Sequence, residues 1–382
     1  MAITFYLPTR LIFGSGTVSR VGKEAKALGR RAILVTGTHS ARKTGLLDKV
    51  TQDLKENGLE VFVFDKVTPN PRASTVDEAA GIVRQNEVDL IIGLGGGSAM
   101  DAAKAIRLAS AGTSPIWDYY IGAADTRAAK PTVGLMLVPT VAATGSEFDS
   151  FAVITNWENH EKRAILTPHY FAQVSIVDPD LTVTLARRPT AQGGLDIFLH
   201  VAENYITTSN PTSLSDGIME ATMRVPVETL PQVLAKLDDV EGRTKLSWAS
   251  TVACSQIPTL GGEIGYRTLH LIEHAMSGYY DVAHGDGLAA LLPAWMRYTF
   301  PARKERFGSL GRNVFGEKDG VAAVEKWLDK IGMKLNLRTL GADPKDFQDI
   351  ADNAVRTSRG LLSKHPNLLD AAAVVQIFKN SY

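Results

Sequence analysis

Eight histidines occur in the 382 residues, and three of them, His270, His274 and His284, fall within the run HLIEHAMSGYYDVAH. Upstream, LDIFLH places Asp196 four residues before His200. Residues four apart share one face of a helix, so Asp196 with His200, and His270 with His274, form two same-face pairs. His284 stands just before GDG, where a turn can return it to the preceding helix. Imidazole nitrogen and carboxylate oxygen without thiolate suit Zn(II) or Fe(II). A single histidine is more often a satisfied core or surface residue; two spaced pairs plus a neighbour make a metal site a serious reading. The same run also contains HLIEH, which matches the inverted zinc-protease pattern H-x-x-E-H, with Glu273 as base. Five residues match by chance, however, and the phosphate-type turns upstream are not what a peptidase requires.

Glycine carries the second chemistry. VDLIIGLGGGSAMDAAKAI sets Gly95, Gly96, Gly97 and Ser98 between an apolar strand pattern and a helix. Glycines let the backbone approach a pyrophosphate, and a helix N-terminus supplies unpaired N–H donors and a partial positive charge. The run lacks the third glycine of G-x-G-x-x-G, and the alternative is a tight turn with Ser98 as a plain N-cap. PTVAATGSE (139–147) again follows an apolar run. Its Thr140, Thr144, Gly145 and Ser146 suit either a loop around phosphate or sugar oxygens or an ordinary polar connection.

The elements that must position these residues divide the chain. RAILVT (31–36), EVFVFD (60–65), the run before Gly95, TVGLMLVP (132–139) and AQVSIVDPDL (172–181) read as strands alternating with helical patterns. Such alternation implies a parallel sheet covered by helices. From about Thr190 the chain is helix after helix, as in LDIFLHVAENYITT, SLSDGIMEATMRVPVETL and VAAVEKWLDKIG. The expected organisation is an α/β dinucleotide-binding domain over 1–185 and an all-helical metal-binding domain over 186–382.

Composition narrows the class. Forty-one basic residues balance 41 acidic ones, which argues against a nucleic-acid surface or a polybasic membrane anchor. Cys254 is the only cysteine, so an intramolecular disulfide and a thiolate zinc site are excluded, and its apolar, helix-like surroundings suit an inert buried thiol. The start MAITFYLPTRLIFG is interrupted by Pro8 and Arg10, unlike a signal peptide, and no uncharged apolar run has membrane-spanning length. A cytoplasmic protein is the expectation.

Taken together, PTRLIFG near the start, PNP (69–71), GGGSAMD (95–101), PTVAATGSE, LDIFLH and the histidine run resemble the iron-containing alcohol dehydrogenase family, in the family's order and across almost the whole chain. The likeness is strongest to the branch of butanol dehydrogenases and broad aldehyde reductases. The resemblance implies a dehydroquinate synthase-like architecture, with the active site in the cleft between the two domains, and a homodimer. It implies four metal ligands at Asp196, His200, His270 and His284, with His274 a non-ligand histidine near the nicotinamide and a candidate proton relay. Cofactor contacts carried over are Asn70, Gly95, Gly96, Gly97, Ser98, Asp101, Thr140 and Thr144, and more loosely Lys162. Iron is the favoured metal, with zinc as the alternative.

Gly37 departs from the NAD-using pattern, in which an aspartate often faces the ribose hydroxyls. Without that carboxylate a 2′-phosphate is not repelled, and Thr38, His39, Ser40, Arg42 and Lys43 follow closely enough to donate to it. The expected cofactor is therefore NADP(H), and the expected reaction is hydride transfer to or from a short-chain aliphatic aldehyde or alcohol. FDSF (148–151) and Tyr266 are candidate lining residues. Asp286 and Gly287 form a second departure that carries no substrate inference. The rivals are a lyase of the dehydroquinate synthase type, for which 265–300 offers only Arg267 and Arg297 as cationic recognition groups; glycerol dehydrogenase, which uses a different metal set; the HLIEH peptidase; and a non-catalytic nucleotide-binding protein.

Overall fold

A computed structural model describes residues 4–382. The described chain divides into two units, one comprising Tyr6–Trp157 and Arg163–Leu185, the other comprising residues 4–5, Glu158–Lys162 and Ala186–Tyr382.

Among the described residues of the first unit, six parallel strands form one sheet: β1 (Arg10–Phe13), β2 (Arg31–Gly37), β3 (Glu60–Val67), β4 (Leu90–Gly95), β5 (Gly134–Pro139) and β8 (Val174–Val177). Their order is β1-β8-β5-β4-β2-β3. β4 and β5 are buried at every position, which explains why LIIGLG and GLMLVP read as continuous apolar runs without alternation. Side chains still alternate between faces. Ile33, Val35, Ile91, Leu135 and Leu137 enter one core with the helices Ala73–Gln85 and Gly97–Ser110. Ala32, Leu34, Ile92, Leu94, Met136 and Val138 enter the other, against the helix Leu46–Glu56. Gly93 is small for a reason of packing: a Cβ there would lie 2.8 Å from Leu137 Cδ2 and 3.0 Å from Ala103 Cβ.

From β2 the chain runs outward to β3, then crosses back to β4 and β5 on the other side. The order thus reverses between β2 and β4, the place where open α/β sheets bind ligands beyond the carboxyl ends of their strands. Gly37 ends β2, Gly95 ends β4 and Pro139 ends β5. The helical run expected after β2 is broken into Ser40–Lys43 and Leu46–Glu56 by Gly45, which has φ 73°. A two-stranded sheet of β6 (Phe151–Asn156) and β7 (Glu161–Leu166) is also present.

The second unit is helical apart from the segment Glu158–Lys162, which lies within 1–185 in sequence yet groups with the helices. Here His160 Nδ1 sits 3.2 Å from the Gly278 carbonyl, and Asn353 Nδ2 donates to the His160 carbonyl at 3.0 Å. The helix Arg187–Thr207 is buried almost throughout. Ser213–Ala235 stays helical through Pro226 and Pro231 and begins at a capping box, Thr212 with Ser215. Cys254 is buried, 3.0 Å from Arg267 Nη1. Among the described residues, no helix is long and apolar enough to cross a membrane.

Candidate metal centre and nucleotide-binding turns

Three helices supply the histidine site. Asp196 and His200 project from Arg187–Thr207, and His270 and His274 from Thr268–Tyr280. That second helix stops at Asp281, whose left-handed φ of 55° turns the chain. His284 then opens the helix His284–Thr299. The turn that returns His284 to its neighbours lies ahead of it, at Asp281, while GDG is already part of the helix.

One oxygen is the focus. Asp196 Oδ1 lies 3.4 Å from His270 Nε2, 3.6 Å from His200 Nδ1 and 3.8 Å from His284 Nε2. Two ligands each ~2.0–2.1 Å from a common tetrahedral ion stand about 3.4 Å apart, so the spacing fits a shared cation. Asp196, His270 and His284 form one compact set of candidate ligand atoms, all within 4.8 Å of one another, and Glu273, His274 and His284 form a second that shares His284. The His200 ring stacks on His270 at 4.6 Å, and its buried Nδ1 has no hydrogen-bond partner.

Charge supports the same reading. Asp196, Glu203 and Glu273 are buried carboxylates packed around imidazoles, and buried anions require a compensating cation. Burial opposes the charge on Asp196, yet His200, His270 and His284 hold its carboxyl well below the usual range. Burial also works against a charged His270, but Glu203 and Asp196 push it up to about 9. Burial and the neighbouring cationic groups drive His200 and His274 well below the ordinary histidine value. The donor set therefore fits a divalent ion.

His274 stands beside the Asp196 set rather than in it. Its ring centroid is 5.6 Å from that of His284 and 6.5 Å from that of His270, and its buried Nδ1 has no hydrogen-bond partner. Glu273 is not available as a peptidase base. Its carboxylate accepts from Ser277 Oγ and contacts His284 Nδ1. Lys162, read from the sequence as facing the cofactor, extends its buried ammonium to within 3.7 Å of Glu273. Glu203, which the sequence reading passed over, bonds His270 Nδ1; it sits three residues after His200, on the same helical face. Arg267 lies against Cys254, and Arg297 pairs with Glu325, so the two cationic candidates for a polyanionic substrate are dispersed.

In the α/β unit, the glycine turn leads into the helix Gly97–Ser110. Gly96 is its N-cap, with no side-chain cap hydrogen bond, so Ser98 does not act as the cap and the first N–H groups remain for a ligand. A Cβ on Gly97 would lie 2.5 Å from Thr144 Cγ2; the third glycine is thus required for the two candidate loops to touch. Thr140 N donates to the Gly95 carbonyl at 3.0 Å, and Thr144 Oγ1 accepts from Ser146 N at 3.2 Å. Asp101, expected from the resemblance to contact the cofactor, is hydrogen-bonded within the α/β unit. Its oxygens accept from Ser146 Oγ at 2.6 Å and Val153 N at 2.9 Å, and burial pushes its carboxyl up to about 6 against the pull of Lys104. Asp149 of FDSF is spent on buried Lys104. Asn70 is buried with φ 50°, a left-handed conformation that asparagine tolerates. Gly37 ends β2, Thr38 follows it and Ser40 opens the helix Ser40–Lys43, but Arg42 is paired with Asp65 on β3.

Comparison with known proteins bears on the family. The family model for iron-containing alcohol dehydrogenase matches residues 8–179, and the model for the C-terminal part of the same family matches residues 190–382. NADH-dependent butanol dehydrogenase A of Clostridium acetobutylicum is 33% identical, covering 100% of both chains. A probable NADH-dependent butanol dehydrogenase 2 of Bacillus subtilis is 37% identical over 86% of this chain and 84% of its own. The crystal structure of NADH-dependent butanol dehydrogenase A from Thermotoga maritima superposes with a TM-score of 0.93 at 32% identity, covering 99% of this chain and 98% of that one.

Proposed function

The chain belongs to the iron-containing alcohol dehydrogenase family, and from that premise we propose that it transfers hydride between NADP(H) and a short-chain aliphatic alcohol or aldehyde of the butanol/butanal type. Asp196, His200, His270 and His284 hold the divalent ion, Fe(II) in preference to Zn(II), in a protein acting as a homodimer. The observation that carries this reading is the convergence of three histidine nitrogens within 3.4–3.8 Å of one Asp196 oxygen. A divalent ion bound there supplies Lewis-acid polarisation to an alcohol or carbonyl oxygen. Asp196 keeps its charge, and the histidines around it offer ring nitrogens to the ion. His274, with a buried and unpartnered Nδ1, holds or passes the proton that balances the hydride. The N-terminus of Gly97–Ser110 takes the pyrophosphate, flanked by Thr140 and Thr144. The butanol-type substrate is supported by the names of the relatives.

For the cofactor, Gly37 leaves the end of β2 without a carboxylate to repel a 2′-phosphate. A second reading, NAD(H), is favoured by the Arg42–Asp65 pair and by the NADH-dependent relatives. The test is cofactor oxidation with butanal, using protein stripped by chelator and reloaded separately with Fe(II) and Zn(II). Turnover is expected to return with metal and to prefer NADPH. His270→Ala should fail to retain metal, not merely turn over slowly. A preference for NADH would replace the cofactor assignment, and metal-bound protein inactive with both cofactors would sink the dehydrogenase reading.

A further inference from the structure

Each of two candidate ligand histidines has two ring nitrogens facing two different carboxylates. His270 directs Nε2 to Asp196 Oδ1 at 3.4 Å and Nδ1 to Glu203. His284 directs Nε2 to the same Asp196 oxygen at 3.8 Å and Nδ1 to Glu273. Neither glutamate is itself aimed at the Asp196 focus, and both are fully buried. We infer that Glu203 and Glu273 are positioning residues, each fixing one histidine so that Nδ1 carries the proton and Nε2 presents its lone pair to the metal.

Both glutamates are themselves held. Glu203 lies on the same helical face as Asp196 and His200, and its second oxygen accepts from Leu269 N at 2.6 Å, at the start of the helix that bears His270. Glu273 accepts from Ser277 Oγ, has Lys162 Nζ at 3.7 Å, and fills space that a Cβ on Gly287 would invade at 2.7 Å. Gly287 therefore leaves room for the Glu273 side chain. A carboxylate behind a metal-binding imidazole sets its tautomer and orientation and raises its basicity. HLIEH thus owes its glutamate to the histidine eleven residues downstream.

The inference rests on the metal assignment above, and the experiment separates the two. Full-length wild type, Glu203→Gln and Glu273→Gln are stripped of metal, and Zn(II) affinity is measured by competition with a chromophoric chelator. Circular dichroism and the melting midpoint of the stripped proteins check the fold. The Co(II)-loaded visible spectrum reports ligand geometry. Each variant should bind Zn(II) about 10- to 100-fold more weakly, with an altered Co(II) band and an unchanged stripped fold. A glutamine variant that does not fold is replaced by Glu→Asp at that position, which keeps the charge but withdraws the oxygen by one methylene, and the same loss is expected. Wild type that takes up no metal would overturn the metal assignment itself. Wild type that binds, with both variants within twofold and spectrally identical, would overturn the positioning role alone.

Discussion

Asp65 shows how much a single residue can alter a reading made from its neighbours. The sequence places Gly37 where a carboxylate often repels a 2′-phosphate, with Arg42 close behind. In the folded sheet a carboxylate is present after all, one strand over: β3 pairs with β2, its register shifts between Val35 and Gly37, and Asp65 meets Arg42. Both side chains are partly exposed, and exposed ion pairs hold weakly. Arg42 can therefore still turn to a phosphate, with Asp65 as competitor. Asp65→Asn should lower the KM for NADPH about two- to fivefold and leave that for NADH unchanged. Steady-state kinetics with both cofactors would check this, and an equal effect on both would remove Arg42 from cofactor selection.

At the scale of elements, the glycine-turn helix Gly97–Ser110 is fixed by two polar ties on successive turns. Asp101 holds Ser146 and Val153, while Lys104 donates to Asp149 Oδ1 at 2.7 Å and to the Phe151 carbonyl at 2.8 Å. Lys104 is fully buried and Asp149 nearly so. Removing one partner of such a pair strands the other charge, at a cost of about 3–5 kcal/mol. Lys104→Met should lower stability by that order in denaturant unfolding, and Lys104→Met with Asp149→Leu should recover part of it. A double variant worse than the sum of the singles would show that the pair is not the coupling unit.

In the whole molecule the histidine cluster and the glycine turn fall in separate units. A ligand that binds only the folded state stabilises it by RT ln(1 + [L]/Kd), about 2.7 kcal/mol at a hundredfold excess over Kd. Chelation should therefore speed amide hydrogen exchange around 196–204 and 268–284 while 31–37 and 90–98 keep their rates. Added NADPH should protect the latter segments. Chelation that loosens both sets equally would mean that the ion's effect is not confined to the helical unit.

How much was legible in the sequence depends on the range of the interaction. Sequence periodicity alone separates the strand–helix alternation from the helical half, because a period of 2 or 3.6 is set by local geometry. It also pairs Asp196 with His200 and His270 with His274, since i and i+4 share a face in any helix. The register between strands, and between helices, is set by side chains far apart in the chain. That register, invisible to local pattern, seats Asp65 against Arg42 and Asp101 against Ser146. It likewise commits Glu273 to His284 and Glu203 to His270. Residue types and spacings determined which chemistry this chain could hold; only tertiary packing decided which carboxylate faces which imidazole, because a buried charge takes its partner from whatever the fold brings within hydrogen-bonding reach.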